Sequence, residues 1–338
     1  MFVSIVIPIL NERLYIEKCL NSILEQEYPP DKFEILLVDG GSTDGTREII
    51  NQYMQKYKNI KLLDNPKRIV PCAMNIGIRK ASGQLIVRMD AHADYSPDYL
   101  SKCVQWSQKT GADNVGGPAL ARGKGFWGKA IEYAHYSAFG LGGADFRTGK
   151  YEGETDTVFG GAFRREVFDH VGFYNEHLVR NQDIELNSRI TTAGGKIFIT
   201  PEIRSTYYCR SNLKDLWRQN YQNGLWNIYT SYISKSALSL RHFVPLFFVG
   251  GLLLSFLILV LGLTMPNVSG WYFALPFVLC AGSYFTAATM FSLQISWKNG
   301  IQYLLPLLAV FATLHISYGW GSIKGLFTVK QWARENAA

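Results

Sequence analysis

The sequence predicts an α/β domain built on a parallel sheet and followed by an α-helical membrane region. Three observations predict it. From Val3 to Thr200, strand-length apolar runs alternate with segments whose apolar residues recur at helical spacing, the pattern of strands joined by right-handed crossovers. From His242 to Trp297 there is no Asp, Glu, Lys or Arg, the pattern of segments that meet lipid. Between them in importance stands the stretch Phe33 to Thr46. An apolar run, Ile35 to Val38, stops at Asp39, and a Gly/Ser/Thr turn leads to Ile49, Ile50, Tyr53 and Met54 at helical spacing.

In order, Val3 to Ile7 is a strand ending at Pro8, and Asn11 is placed to cap a helix carrying Ile16, Cys19, Leu20, Ile23 and Leu24. The loop Tyr28-Pro29-Pro30-Asp31 returns the chain to the strand that ends at Asp39. At the carboxyl edge of an open sheet this carboxylate either accepts hydrogen bonds from a nucleotide's base or ribose or caps the next helix. Ile60 to Leu63 is a third strand, Asn65-Pro66 a turn, and Arg68 lies in the following loop. Pro71 suits the first turn of a helix with Val70, Met74, Ile78 and Ala81 on one face, ended by Gly83.

The strand Leu85 to Met89 ends in Asp90-Ala91-His92, at the same sheet edge as Asp39. If the backbone stays extended, Asp90 and His92 face one side, and a carboxylate with an imidazole suits manganese or magnesium holding a diphosphate. Asp94 is a third candidate ligand; the alternative is a surface turn. Ser96-Pro97 begins a helix toward Trp106.

Gly116 to Gly153 is rich in glycine and aromatics, and Gly140-Leu141-Gly142-Gly143 reads as a mobile substrate loop, with a helix from Lys129 to Phe139 before it. Thr155 to Phe163 reads as strand around Gly160-Gly161, where a missing side chain admits either a sugar or another backbone. Arg180-Asn181-Gln182-Asp183 opens a helix that Gly194-Gly195 closes. Asp183, a carboxylate at the positive end of that helix, is either a general base or a cap. Short strands follow at Lys196 to Thr200 and Ile203 to Tyr208. After Asn212 a helix carries Leu213, Leu216, Trp217, Asn220, Leu225 and Tyr229, lying at the membrane interface or packed on the soluble domain.

The chain of 338 residues has a net charge of +7. No basic helix or aromatic-basic repeat accompanies that charge, which speaks against a nucleic-acid partner and for an anionic membrane surface. Cys19, Cys72, Cys103, Cys209 and Cys280 show neither a C-x-x-C pair nor zinc spacing, as expected in a reducing compartment. No charged region precedes the short apolar start, so no signal peptide is expected. Three apolar spans, Phe243 to Thr264, Trp271 to Leu293 and Ile301 to Trp320, are each near the ~20 residues that cross a bilayer. Lys235, Arg241 and Lys298 place the first domain in the cytoplasm of an integral cell-membrane protein. Lys324, Lys330 and Arg334 would fall outside after three crossings, so the third span is expected to be re-entrant or interfacial. The organisation expected is a catalytic domain over 1–235, with an interfacial amphipathic helix near 210–235, a membrane region over 240–325 and a basic tail over 326–338. No ionisable acid or base lies within the first two spans to mark a transport pathway.

As an ordered set, Val6-Ile7-Pro8-Ile9-Leu10-Asn11-Glu12, Val38 to Thr46, Asn75-Ile76-Gly77 and Asp90-Ala91-His92 resemble the family-two glycosyltransferases over about residues 1 to 235. Arg88 to His92, Arg180 to Asp183, Tyr207 to Ser211 and Leu314 to Gly319 look like the membrane-anchored enzymes of succinoglycan-type polysaccharide assembly. The resemblance implies an A-type glycosyltransferase fold, a Rossmann-like mixed sheet with helices on both faces. It implies inversion at the anomeric carbon and a nucleoside-diphosphate sugar donor, UDP first. Carried over, Pro8, Asn11 and Glu12 line the nucleotide, Asp39 holds the base, and Arg68 and Asn75 border the pocket. Asp90 and His92 occupy the D-x-D position and bind Mn2+ or Mg2+. Asp183 is the catalytic base, with Gln182 where an acidic neighbour is usual. Gly160, Gly161, Arg180, Gln182 and Arg210 serve acceptor and diphosphate.

The expected reaction moves a hexose to a polyprenyl-diphosphate-linked sugar at the membrane, in exopolysaccharide or cell-surface glycan assembly. A polyprenyl-phosphate hexosyltransferase is the alternative within enzymes, and a non-catalytic nucleotide-sugar-binding membrane scaffold the alternative outside them. The Q-x-x-R-W signature of processive synthases is missing.

Overall fold

The computed structural model describes residues 1–140, 149, 151–265 and 270–336. The expected substrate-loop residues Leu141, Gly142 and Gly143, and residues 337–338 of the expected tail, lie outside them. The chain divides into two compact units, Met1–Ala121 with Ala144–Tyr208, and Arg122–Gly143 with Cys209–Ala338.

The first unit alternates strands and helices as expected: β1 (Val3–Ile9), α1 (Ile16–Leu24), β2 (Phe33–Asp39), α2 (Thr46–Lys56), β3 (Ile60–Asp64), α3 (Val70–Lys80), β4 (Leu85–Arg88), β5 (Ala93–Tyr95), α4 (Tyr99–Thr110), β6 (Asn114–Gly117) and β7 (Ala119–Arg122). After α5 (Gly125–His135), which belongs to the second unit, come β8 (Gly153–Glu154), β9 (Phe159–Arg164), α6 (Val167–Val171), α7 (Gln182–Thr192), β10 (Ile197–Ile199) and β11 (Ser205–Tyr208). Eight strands form a mixed sheet in the order β3-β2-β1-β4-β9-β6-β10-β8, and β5-β11-β7 form a small second sheet. β1 to β4 run parallel, whereas β9 is antiparallel to both β4 and β6.

The alternation of side chains along each strand fixes two cores. Val3, Ile5, Ile7, Ile35, Leu37, Leu85 and Val87 point into one cluster with α1 and α4; Val6, Leu36, Val38 and Ile86 point into the other with α3 and α7. β2 is buried along its whole length, as a parallel strand covered on both faces must be. β1 runs through Pro8 to Ile9, beyond the expected end. Val6 O accepts from Met89 N at 3.1 Å, so the Pro8 nitrogen faces the side that β4 has already left, where no donor is needed. Asn11 does not cap α1: the helix starts at Ile16 behind Tyr15, and Asn11 turns the chain with φ 56° instead.

At the opposite edge of the sheet a buried polar network ties β1 to β2. Glu34 Oε1 accepts from Ser4 Oγ at 2.7 Å, Ser82 N at 2.8 Å and Ser82 Oγ at 2.6 Å, and Lys61 Nζ reaches Oε2 at 2.9 Å. Burial works to raise the Glu34 pKa, but these donors win and hold it down at about 2.

The second unit holds α5, α8 (Leu213–Ile233), α9 (Val244–Gly262), α10 (Gly270–Asn299) and α11 (Leu304–Asn336). The segments Leu240–Gly262, Gly270–Asn299 and Ile301–Asn336 are long and apolar enough to cross a membrane. Asn212 caps α8 by accepting from Asp215 N at 2.8 Å. α8 and α11 touch backbone to backbone: a Cβ on Gly224 would lie 1.9 Å from the Tyr318 carbonyl oxygen, and one on Gly321 would lie 1.9 Å from that of Tyr221. Asn227 donates to the Tyr318 hydroxyl, and the rings of Tyr229 and Trp332 stack at 4.5 Å.

α8, the helix expected at the membrane interface or on the soluble domain, packs along α11 and groups with the apolar helices, the first unit ending at Tyr208. The third span contains no turn that a re-entrant hairpin would require; α11 continues through Lys324, Lys330 and Arg334 to Asn336, so the tail expected from residue 326 is helical over its described length.

Candidate active site

The carboxyl ends of β2, β1 and β4 share one edge, and the sequence-predicted residues Asp39, Asn11 and Asp90 follow from them. Asp39 is the last residue of β2 and its side chain is fully buried. Its carboxylate accepts from Gly41 N at 3.2 Å, Ser42 N at 3.1 Å, Ser42 Oγ at 2.6 Å and Arg47 Nη1 at 2.7 Å. It does not cap α2. That work falls to Asp44, whose Oδ1 accepts from Thr46 N at 3.1 Å and Thr46 Oγ1 at 2.5 Å. Arg47 also reaches Asp64 at 2.8 Å. Sequence reasoning missed Arg47; its position in the first turn after a buried strand-end acid is the signal that points to it.

The loop after β1 is laced to the loop after β2. Asn11 N donates to Ser42 Oγ at 2.8 Å and Asn11 Oδ1 accepts from Thr43 N at 2.9 Å. Glu12 N donates to Thr46 Oγ1 at 2.9 Å, and Arg13 N to Asp44 Oδ2 at 3.1 Å. Pro8 lies half-buried at this edge. Arg68 joins it through Asn65, whose N–H donates to the Asp39 carbonyl at 2.7 Å and whose carbonyl accepts from Arg68 N at 3.1 Å. Among the described residues, the non-glycine residues with left-handed backbone are Asn11 (φ 56°), Arg68 (φ 58°) and Asn181 (φ 60°). Such conformations are costly and concentrate where a ligand site demands them; two of the three were named from the sequence, and the third is two residues from Asp183.

Asn75, expected to border the pocket, lies on α3. It is buried, its Nδ2 donates to the Tyr174 carbonyl at 2.9 Å and to Glu176 at 3.0 Å, and its Oδ1 accepts from Tyr174 N at 2.9 Å. The amide is thus committed to holding the 174–176 segment. Lys67 adds to that hold and, with Asn75, keeps the Glu176 carboxyl down at about 2.

Asp90 and His92 are not on one face of an extended strand. β4 ends at Arg88, the chain turns with Ala93 N donating to Asp90 O at 3.3 Å, and the Tyr95 hydroxyl accepts from Asp90 N at 2.6 Å. His92 Nδ1 instead meets Glu12 Oε1 at 3.2 Å, joining an expected metal ligand to an expected nucleotide contact. Asp94 lies in β5, where its carboxylate accepts from Lys18 at 2.7 Å and from the Tyr208 hydroxyl at 2.6 Å.

Arg88 Nε and Nη2 both donate to Asp90 Oδ1 at 3.3 Å. Burial works to lower the pKa of this guanidinium, and nearby Asp90, Tyr174 and Asp183 more than offset it, leaving it raised. Arg88 is thus paired with Asp90, and the charge of Asp183 acts on it as well. Asp183 is the second residue of α7, and its Oδ1 accepts from Ile184 N at 2.9 Å. Gln182 beside it is buried, and its Oε1 accepts no hydrogen bond among the described residues. Arg180 and Asn181 form the turn before α7. Arg210 is exposed in the second unit.

Gly160 lies against backbone and Gly161 against side chains. A Cβ on Gly160 (φ 69°) would lie 3.1 Å from the Arg88 carbonyl oxygen, and one on Gly161 (φ 96°) 2.7 Å from Asn114 Oδ1.

A divalent cation would find a partial shell. Among the described residues no group of three or more His, Cys, Asp or Glu is arranged to hold a metal. Asp90 Oδ1 is taken by Arg88, while Oδ2 accepts no hydrogen bond from a described residue. One carboxylate oxygen fits Mg2+ or Mn2+ only if a diphosphate and water complete the sphere, which is how such ions bind at phosphate sites.

The glycosyl transferase family 2 profile matches residues 4–172. The chain is 34% identical over 244 residues to the succinoglycan biosynthesis protein ExoA of Rhizobium meliloti, covering 72% of this chain and 74% of that protein. It is 32% identical over 233 residues to a dolichyl N-acetyl-alpha-D-glucosaminyl phosphate 3-beta-D-2,3-diacetamido-2,3-dideoxy-beta-D-glucuronosyltransferase of Methanococcus voltae, covering 66% of this chain and 72% of that one. Among solved structures, the mannosyltransferase PcManGT of Pyrobaculum calidifontis, in complex with GDP-Man and Mn2+, superposes with a TM-score of 0.59 at 19% identity. The match covers 96% of this chain and 87% of that one. The fold is the A-type α/β fold that the sequence motifs imply.

Proposed function

The chain belongs to glycosyl transferase family 2, and from that premise we propose that it is an inverting hexosyltransferase using a nucleoside-diphosphate sugar, UDP being the first choice. Its acceptor in this reading is a polyprenyl-diphosphate-linked sugar, and its setting exopolysaccharide or cell-surface glycan assembly. The observation that carries the reading is the edge shared by the carboxyl ends of β2, β1 and β4, which brings Asp39, Asn11, Glu12 and the Arg88-held Asp90 together.

In the proposed step Asp183 takes the proton of the acceptor hydroxyl as its oxygen bonds to the anomeric carbon. The bond from that carbon to the diphosphate oxygen breaks, and the nucleoside diphosphate leaves with the electron pair. One base on the acceptor side is enough when configuration inverts; a second carboxylate nucleophile is the mark of retention. A divalent cation beside Asp90 would supply charge neutralisation for the departing diphosphate. Asp39 orients the turn 40–42, and the left-handed Asn11 and Arg68 shape the pocket around the nucleotide.

The lipid-linked acceptor is supported by the apolar helices of the second unit and by the dolichyl-linked chemistry named for the Methanococcus relative. Lys235, Arg241 and Lys298 favour a cytoplasmic first unit. The test is incubation of membranes bearing the full chain with radiolabelled nucleotide sugars and Mn2+. Label should enter lipid-diphosphate glycans. Label on lipid monophosphate would replace the acceptor assignment, and no transfer from any donor would favour a scaffold.

A further inference from the structure

We infer that Arg88 is a positioning residue of the transfer site, one that holds the Asp90 carboxylate by its Oδ1 and leaves Oδ2 to present. The inference rests on the glycosyltransferase reading above and gives a role to Arg88, which the sequence motifs contain but to which they assign none.

Arg88 and Asp90 are two residues apart at the end of β4, and the Arg88 side chain is only 12% exposed. Both Nε and Nη2 converge on the same oxygen, Oδ1, at 3.3 Å. A two-nitrogen grip on one oxygen pins Oδ1 and leaves Oδ2 as the presenting atom. The seat of Arg88 is itself built. Gly160 of β9 lies over its carbonyl, where a Cβ would come within 3.1 Å. Tyr174 stands beside the guanidinium, and its backbone N–H and carbonyl are both held by Asn75.

Asp183 is close enough to act on the Arg88 charge. Carboxylates in one partly buried region repel, and a guanidinium within reach of their charge offsets part of that cost. Lysine would keep that charge but not the planar fork that sets the Asp90 orientation. A purely structural counter-ion would affect stability and little else, so the distinction is measurable.

The experiment uses the full chain in detergent, with Arg88→Lys, Arg88→Met, Asp90→Asn and Arg88→Met/Asp90→Asn. Melting temperature is read first. Calorimetry then follows binding of UDP, and of GDP, as Mn2+ is titrated, and kinetics separate kcat from KM. Removing a group that orients a metal-binding carboxylate costs about 10- to 100-fold in metal affinity or activity. Arg88→Met should raise the Mn2+ requirement for nucleotide binding and lower kcat by a factor in that range, with the acceptor KM little changed. Arg88→Lys should recover only part. On the Asp90→Asn background, Arg88→Met should leave the Mn2+ dependence where it already stands.

A folded Arg88→Met chain with wild-type Mn2+ dependence and kcat would overturn the inference while leaving the glycosyltransferase reading intact. If Arg88→Met does not fold, a wild-type Arg88→Lys enzyme would overturn it equally, since the fork would then be dispensable. A wild-type chain that binds neither nucleotide with or without Mn2+ would overturn the reading and this inference together.

Discussion

Arg47 reaches the fully buried carboxylate of Asp39 at 2.7 Å from the first turn of α2, eight residues along the chain. This pair, with the Ser42 and Gly41 donors, sets the turn from which the edge loops are hung. Arg47→Met leaves Asp39 charged and short of its cation. The expected loss is about 1 to 3 kcal/mol, below that of a fully buried pair because Arg47 is itself partly exposed. Urea unfolding should show Arg47→Met/Asp39→Asn more stable than Arg47→Met alone. Additive losses would mean that the two residues do not act as a pair.

Asn75 gives a contrasting expectation. Its amide closes a reciprocal pair with the Tyr174 backbone, so Asn75→Ala orphans a buried N–H and a buried carbonyl. That should cost about 2 to 4 kcal/mol. Nucleotide affinity of the folded fraction, measured by calorimetry, should stay near that of the wild type. A large affinity loss at unchanged stability would return Asn75 to the pocket wall.

Glu34 predicts the acid behaviour. Its folded pKa, about 2, lies below the ordinary 4.5, so the stability it contributes is present above pH 4.5 and is lost as pH falls toward 2. The difference corresponds to roughly 3 kcal/mol. Glu34→Gln should be less stable than wild type at neutral pH, and the gap should narrow across that acid window. A gap independent of pH would contradict the assignment.

Helix contact in the second unit is testable by a paired substitution. Gly224→Ala meets the Tyr318 carbonyl and should lower the melting temperature in detergent, by a loss of about 1 to 3 kcal/mol. Gly250→Ala, where a Cβ meets nothing within 4 Å, should not. Equal effects would show that the α8–α11 approach is not tight in solution.

Much of this was legible in the sequence because strand period, breakers and edge acids are local signals. Asp39 ends β2, Asp90 lies two residues past the end of β4 and Asp183 is in the first turn of α7, and the chain marks each with a change of period. What was not legible depends on three-dimensional partners. Nothing local says that Asn75 spends its amide on Tyr174, that Asp94 turns to Lys18 and Tyr208, or that His92 goes to Glu12. Asp90-Ala91-His92 read as extended, but Tyr95, five residues on, takes the Asp90 N–H and the chain turns. The sequence leaves α8 between the membrane interface and the soluble domain, because the glycines that seat it on α11 show their role only when the two helices are paired.

The central claim is that Asp183 is the base of a sugar transfer. The direct measurement compares wild type with Asp183→Asn for donor binding by calorimetry and for transfer of labelled hexose to lipid-linked acceptor. Donor affinity should be retained and transfer lost by a factor on the order of 10² or more; transfer at the wild-type rate would contradict the account.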